Sequence, residues 1–388
     1  IHQMGLIDQT ERYSLSNVGK AWLPQLSVSG KASYQSDVTK LPLDGDKISS
    51  LLPGFEIPSL SKDQYQVVAQ VDQTIWDGGS TRSARALTRA EAIANREQLE
   101  SELYALNDRV NQIYFGCLLQ DELIRQNALL QKELQVNIER IEAMMENGVA
   151  NQSDLESMEV ELLNARQNEI ELKASRTVYR QMLATFINKP LTDQVVLKTP
   201  ESPERSLSTQ INRPELRALD AKSEWIETQN KQVTAGLMPR IGAFVQGGYG
   251  RPGLNMLEDS FEPYYVAGVR LSWNLGKLYT LKNDRRKIEV SRRQIDVQRE
   301  TFLFNTRLQL LQQNTEIKKM TDLMRADDDI IRLRTSIKQA AEVKLENGVI
   351  SVTDLIREIN AEDMARQTAA AHRVQRLMTI YNYMYTTN

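Results

Sequence analysis

A single cysteine, Cys117, stands in 388 residues, which excludes an intramolecular disulfide and any cysteine-built metal cluster. Its place inside a helical pattern reads as a buried packing thiol. No run approaches the roughly 18 to 20 consecutive apolar residues that a membrane-crossing helix needs. That test is blind to membrane strands, whose only signal is alternation over about ten residues. Neither charge sign dominates: 48 Lys and Arg stand against 51 Asp and Glu, so no basic excess points to nucleic acid. The two histidines, His2 and His372, are remote from each other and lack nearby ligands, and Met144 and Met145 read as packing residues rather than a soft-metal site. There is no glycine-rich phosphate loop, no paired histidine and no nucleophile beside a base. The expectation is therefore no enzyme, with catalytic, cofactor-binding and metal residues all absent.

Proline is missing between residues 59 and 189, and what fills that span is long and helical. Leu99, Leu103, Leu106, Val110, Ile113 and Cys117 step by three and four, and Leu134, Ile138, Ile141 and Met145 resume the pattern. This is a coiled-coil seam rather than a wide core face. A second seam runs through Ile317, Met320, Met324, Ile331, Ile337 and Leu345. Helices from Gly79 to Glu146 and from Lys277 to Glu346 would each be about 100 Å long.

Both end in the same turn. Glu146-Asn147-Gly148-Val149 with Ser153-Asp154-Leu155 returns as Glu346-Asn347-Gly348-Val349 with Thr353-Asp354-Leu355, an offset of 200 residues. Gly148 and Gly348 suit a left-handed helix end. Asn151 and Ser351 suit N-caps, with Asp154 and Asp354 three residues on completing a capping box. Shorter return helices are expected from about Gln152 to Ile187 and from about Val352 to Tyr385. The chain is thus a duplication built on two helical hairpins.

The other end of each half alternates. Leu26, Val28, Gly30, Ala32 and Tyr34 form one period-2 strand, and Tyr65 to Trp76 a second after a proline- and glycine-rich loop over 37–62. Strands recur from Met238 to Tyr249 and from Tyr264 to Trp273. Residues 1–22 read as the end of a helix. Arg213-Pro214 opens a helix to Gly236, expected to continue the first return helix toward the strands, with 188–212 as an irregular belt. Residues 1–22 are expected to complete the second half in the same way. Tyr34, Tyr65, Trp76, Phe244, Tyr249, Tyr264, Tyr265 and Trp273 lie near strand ends, where an interfacial belt and ordinary strand propensity both place aromatics. The acidic run Asp327-Asp328-Asp329 reads as a solvated helix face. Four strands leave two open edges, so other copies are expected to supply the rest. Three chains give twelve strands.

The paired turns, the openers Leu23-Pro24-Gln25 and Met238-Pro239-Arg240, and the strand ends Trp76-Asp77-Gly78-Gly79 and Trp273-Asn274-Leu275-Gly276 together resemble TolC-like outer-membrane efflux proteins. The resemblance covers essentially the whole chain. The family's Asn-Pro-like motif at its first helix is absent, and the sequence opens at Ile1 without methionine, as expected of a processed or incomplete start.

The resemblance implies an all-α dominated fold with membrane β. A homotrimer would form a twelve-stranded barrel in the outer membrane, continuous with a periplasmic α-helical coiled-coil barrel. Residues 23–76 and 238–275 would carry the strands; residues 1–22, 77–187, 213–237 and 276–386 the helical barrel; residues 188–212 an equatorial belt. The implied function is a passive exit duct for efflux or type I secretion, without a cofactor, docking a periplasmic adaptor protein and an inner-membrane pump. Drug, protein and metal export share this architecture. Asp154 and Asp354 match aspartates lining the family's constricted entrance, where like charges would raise one another's pKa; capping their own helices is the competing role. Arg357 replaces a second family aspartate and stands at i+3 from Asp354. Gly148, Val149, Ser153, Gly348, Val349 and Thr353 form the hairpin tips that would meet the adaptor. Tyr34, Tyr65, Trp76, Tyr249, Tyr264 and Trp273 would mark the membrane interfaces. The rival reading is a soluble periplasmic coiled-coil scaffold or adaptor.

Overall fold

The computed structural model describes residues 2–39, 60–192, 195–202, 209–256 and 258–388. Most of the expected 37–62 loop and parts of the 188–212 belt lie outside these. Helix α1 (His2–Gly19) runs through a short 3-10 turn (Lys20–Trp22) into β1 (Gln25–Tyr34) and β2 (Asp63–Trp76). There follow α2 (Ser80–Glu146), α3 (Gln152–Ile187), α4 (Pro214–Ala235), β3 (Arg240–Arg251), β4 (Glu262–Ser272), α5 (Leu278–Glu346) and α6 (Val352–Thr387). The chain divides into two compact units, residues 1–98 with 218–298 and residues 99–217 with 299–388.

The first unit holds a four-stranded antiparallel sheet in the order β1-β2-β3-β4. Asp77 follows the end of β2, and its carboxylate accepts the Gly79 N–H at 2.8 Å and the Thr81 N–H at 2.6 Å, so that it satisfies a free donor in the first turn of α2. These bonds hold its carboxyl below the usual range, although burial alone would raise it. Helices α4 and α5 pack through Ile226, Ile288 and Ile295, and Arg292 bonds Glu227 at 2.7 Å. Helix α1 is tied to α2 by Arg96, which reaches both Asp8 and Glu11.

The second unit packs the two hairpins against each other. Leu134, Ile138 and Ile141 of α2, Met158 and Leu162 of α3, Leu345 of α5 and Leu355, Ile356 and Ile359 of α6 form one buried cluster. Each such side chain contributes about 1.5–3 kcal/mol by leaving water. Cys117 is fully buried with Ile113 and Leu183, and burial pushes its thiol pKa up.

Three expectations are corrected. The seams are not continuous: Leu103 and Leu106 are exposed, because α3 ends near Ile113 and Cys117, where Leu183 packs. Ile337 is exposed beside Lys338, which turns inward instead. Of the acidic run only Asp328 and Asp329 are solvated; Asp327 is buried, 2.7 Å from Nδ1 of His372 on α6. The start of α4 is bonded to the end of the second return helix, with the Asn212 N–H donating to the Thr387 carbonyl at 2.7 Å. The Arg213 guanidinium stacks over the rings of Tyr385 and Tyr104 there, a contact worth about 1 kcal/mol or more when desolvated.

Candidate functional site

Strand pleating places alternate residues on opposite faces, and here the two faces differ chemically. One row across all four strands reads Leu26, Val71, Val245, Ala267; the next reads Val28, Ala69, Gly247, Tyr265. Leu26, Val28, Val67, Val245, Tyr265, Val269 and Leu271 are 55–79% exposed, so nothing among the described residues covers this apolar face. The opposite rows read Ser27, Gln70, Gln246, Val266 and Lys31, Gln66, Gly250, Glu262. That face bonds within itself: Gln70 donates to Asp72 at 2.7 Å, and Arg270 lies over the Phe244 ring.

Aromatics bracket the apolar face. At one end Tyr65 and Tyr249 both stack on Phe261, and Tyr34 closes β1. At the other, a bulge between Thr74 and Trp76 pairs Trp76 with Ile241 and so brings it onto the apolar face. From Tyr65 to Trp76 the strand rises about 36 Å, or about 28 Å of height at a 40° tilt. An outer-membrane barrel needs an apolar band of about 25 Å.

Trp273 lies past the end of β4, and its indole N–H donates to the Leu237 carbonyl at 2.9 Å. Tyr264 departs from its expected place: it stands on the polar face, against Gly248, where the Gln66 amide donates to its hydroxyl. Its odd-even position sets it opposite Tyr265, so only one of the two can face outward. Trp22 lies just before β1 as Trp76 closes β2, at the same end of the sheet, and its place ahead of the Leu23-Pro24 opener was legible in the sequence.

The hairpin tips are two copies of one geometry. The Gly148 and Val149 N–H groups donate to the Met145 and Met144 carbonyls, each at 2.9 Å, and Gly348 and Val349 do the same to Leu345 and Lys344. This satisfies the last carbonyls of each helix and requires the left-handed φ of +74° and +66° at the glycines. Both capping boxes form: Asn151 and Asp154 exchange bonds of 3.1 and 3.2 Å, and Ser351 and Asp354 two of 3.2 Å. The Ser351 hydroxyl also donates to Asp354 at 2.8 Å and holds its carboxyl below the usual range, with Arg357, 3.4 Å away, adding to the effect. Ser153 and Thr353 sit in the first turns of α3 and α6, and Val149 and Val349 are exposed at the tips.

Behind the second tip is a cluster that no sequence spacing announced, because its members come from three helices. Glu362 of α6 is 2% exposed, yet Lys338 of α5 lies 2.6 Å away, Thr335 donates at 2.6 Å and Arg366 at 2.5 Å. Lys338 also bridges to Glu133 of α2 at 2.5 Å. These bonds bring Glu362 down to about 2 against the rise that burial alone would cause. Asp363, beside a cavity of about 290 Å³, is pushed by burial up to about 6. Among the described residues no three His, Cys, Asp or Glu side chains gather as a metal site.

Residues 9–189 match the family described as outer membrane efflux protein. Over that stretch the chain resembles TolC-like efflux proteins. Over the whole chain the fold is similar to that of the outer-membrane channel OprN at 14% identity, with TM-score 0.68, covering 100% of this chain and 86% of that one. The outer membrane protein VceC of Vibrio cholerae is 11% identical, with TM-score 0.67 and coverage of 98% and 92%. The MtrE outer membrane channel of Neisseria gonorrhoeae is 15% identical, with TM-score 0.67 and coverage of 100% and 85%. No curated protein matches in sequence. The family and these neighbours are outer-membrane channel proteins rather than enzymes.

Proposed function

We propose that three copies of this chain close a twelve-stranded barrel in the outer membrane, continued into the periplasm as a helical tunnel. The duct is passive and forms the exit of a tripartite efflux or type I secretion system, with a periplasmic adaptor and an inner-membrane pump as its partners. Residues 23–76 and 238–275 carry the membrane strands in this reading. Residues 1–22, 77–187, 213–237 and 276–386 carry the tunnel, and 188–212 the belt.

The observation that carries it is the uncovered apolar sheet face, bracketed by aromatics and backed by a polar face suited to a wet lumen. An even strand number helps closure: β4 of one copy runs antiparallel to β1 of the next, so the two open edges can pair. A soluble scaffold would leave the same face in water. At about 25 cal/mol per Å² that exposure is costly and prone to aggregation.

At the hairpin tips, Asp154 and Asp354 of three copies give six carboxylates around the entrance and a preference for cations, with Arg357 weakening the ring by pairing with Asp354. Exposed Val149 and Val349, on turns fixed by Gly148 and Gly348 beside Ser153 and Thr353, present the surface for the adaptor. The test is native mass spectrometry of the detergent-solubilised protein followed by planar-bilayer recording. The reading requires three chains per particle and a cation-selective conductance that Asp154→Asn with Asp354→Asn makes less selective. A monomer that needs no detergent would support the scaffold instead. Unchanged selectivity would leave the two aspartates as helix caps alone.

A further inference from the structure

Where the strands meet the helices, the first unit holds a cavity of about 1020 Å³ that the channel function does not use. Arg82, Arg85 and Arg89 of α2 line it, and so does Lys231 of α4. The arginine spacing of three and four residues sets all three on one side of the helix. Among the described residues none of these four cations has an ion-pair partner. The lining carboxylate, Asp77, is already engaged by the Gly79 and Thr81 N–H groups. All four are exposed, so water screens their mutual repulsion, and the first turn of α2 supplies no acidic residue beside them. The mouth of the cavity therefore presents positive charge that an anion from outside the chain can meet.

The rim says which anion. Trp22 and Trp76 line the same cavity, and the β2 bulge sets Trp76 on the apolar face, at the helix end of the membrane band. A molecule reaching the arginines past these indoles has its other end toward the apolar face on which Trp76 and Ile241 pair. That is the layout of an amphiphile with an anionic head. Guanidinium forks match phosphate oxygens bidentately, and basic pockets at this depth bind lipid headgroups.

We propose that the cavity binds the phosphate headgroup of an anionic phospholipid in the periplasmic leaflet, its acyl chains lying on the apolar sheet face. The inference rests on the membrane reading above. The lipid would fill the recess at the strand-to-helix junction and fix the depth of the barrel in the bilayer.

The experiment uses the full chain purified in detergent. Native mass spectra and thermal unfolding are followed on titration with phosphatidylglycerol, with phosphatidylcholine and with inorganic phosphate. Wild type is expected to retain phosphatidylglycerol about tenfold better than phosphatidylcholine and to unfold at higher temperature with it. The variant Arg82→Gln, Arg85→Gln, Arg89→Gln, Lys231→Gln is expected to lose that tenfold difference. The corresponding Arg→Lys variant, which keeps charge but not the fork, is expected to retain part of it and controls for folding. Equal retention of the two lipids by wild type, or undiminished preference in the glutamine variant, overturns the proposal. Protection by inorganic phosphate equal to that by the lipid overturns the lipid assignment in favour of a free-anion site. Recovery of the protein from the aqueous fraction without detergent contradicts the membrane reading itself, and is seen before any lipid is added.

Discussion

The Lys338 ammonium lies 2.6 Å from the Glu362 carboxylate and 2.5 Å from Glu133, so one cation ties α5 to both α6 and α2 behind the hairpin tips. Glu362 keeps Arg366 and Thr335 when Lys338 is removed, but Glu133 loses its ion pair with Lys338. Lys338→Met is expected to destabilise the second unit by about 2–3 kcal/mol, somewhat below the cost of stripping a buried carboxylate of all its partners. Denaturant unfolding measures it, and a double-mutant cycle with Glu133→Gln isolates the coupling of the pair.

The same cluster sets a pH dependence with two opposing limbs. Glu362 is lowered from 4.5 to about 2, so its contribution is fully present above about pH 4.5 and is lost as pH falls through about 2. Asp363 is raised from 3.8 to about 6, so the folded state favours its protonated form. Its penalty is absent below 3.8, grows as pH rises through about 6, and is complete above that. The unfolding free energy of the second unit is expected to rise between pH 7 and about 5, by no more than about 2 kcal/mol after solvent screening, and to fall below about pH 4. Asp363→Asn is expected to flatten the upper limb and leave the lower one in place, as read by hydrogen exchange of α5 and α6 across the pH series.

Gly148 and Gly348 have no heavy atom within 4 Å of an added Cβ, so alanine there meets only the backbone cost of positive φ. Gly148→Ala and Gly348→Ala are each expected to cost about 1–2 kcal/mol, and asparagine at either position about half as much. Thermal unfolding of the four variants checks both the size and the equivalence of the two turns. A cost at one turn and none at the other would break the repeat.

Much of this was legible because local rules decide it. The tip motif dictated turn, cap and helix start together, and Gln152–Ile187 and Val352–Thr387 fall within two residues of the expected helices. The alternation of Leu26 to Tyr34 against Ser27 to Ser33 gave both a strand and its two faces. What stayed hidden depends on pairing between distant segments. The Glu362 cluster draws on α2, α5 and α6, and no periodicity within one helix marks it. Asp327 looked solvated because its partner, His372, lies 45 residues away. The bond from Asn212 to Thr387 joins the two halves, whereas the repeat suggested that each would be completed within itself.

The most direct test is a spin-label scan along β2 in reconstituted bilayers, one residue at a time from Gln64 to Thr74, in a Cys117→Ala background. Accessibility to lipid-soluble oxygen and to an aqueous nickel chelate is read at each position. Labels at residues 65, 67, 69 and 71 are expected to favour oxygen, and those at 64, 66, 68, 70 and 72 the chelate, alternating with period two. A strand whose labels all meet the aqueous reagent, or show no alternation, would contradict the membrane-facing sheet and the channel built on it.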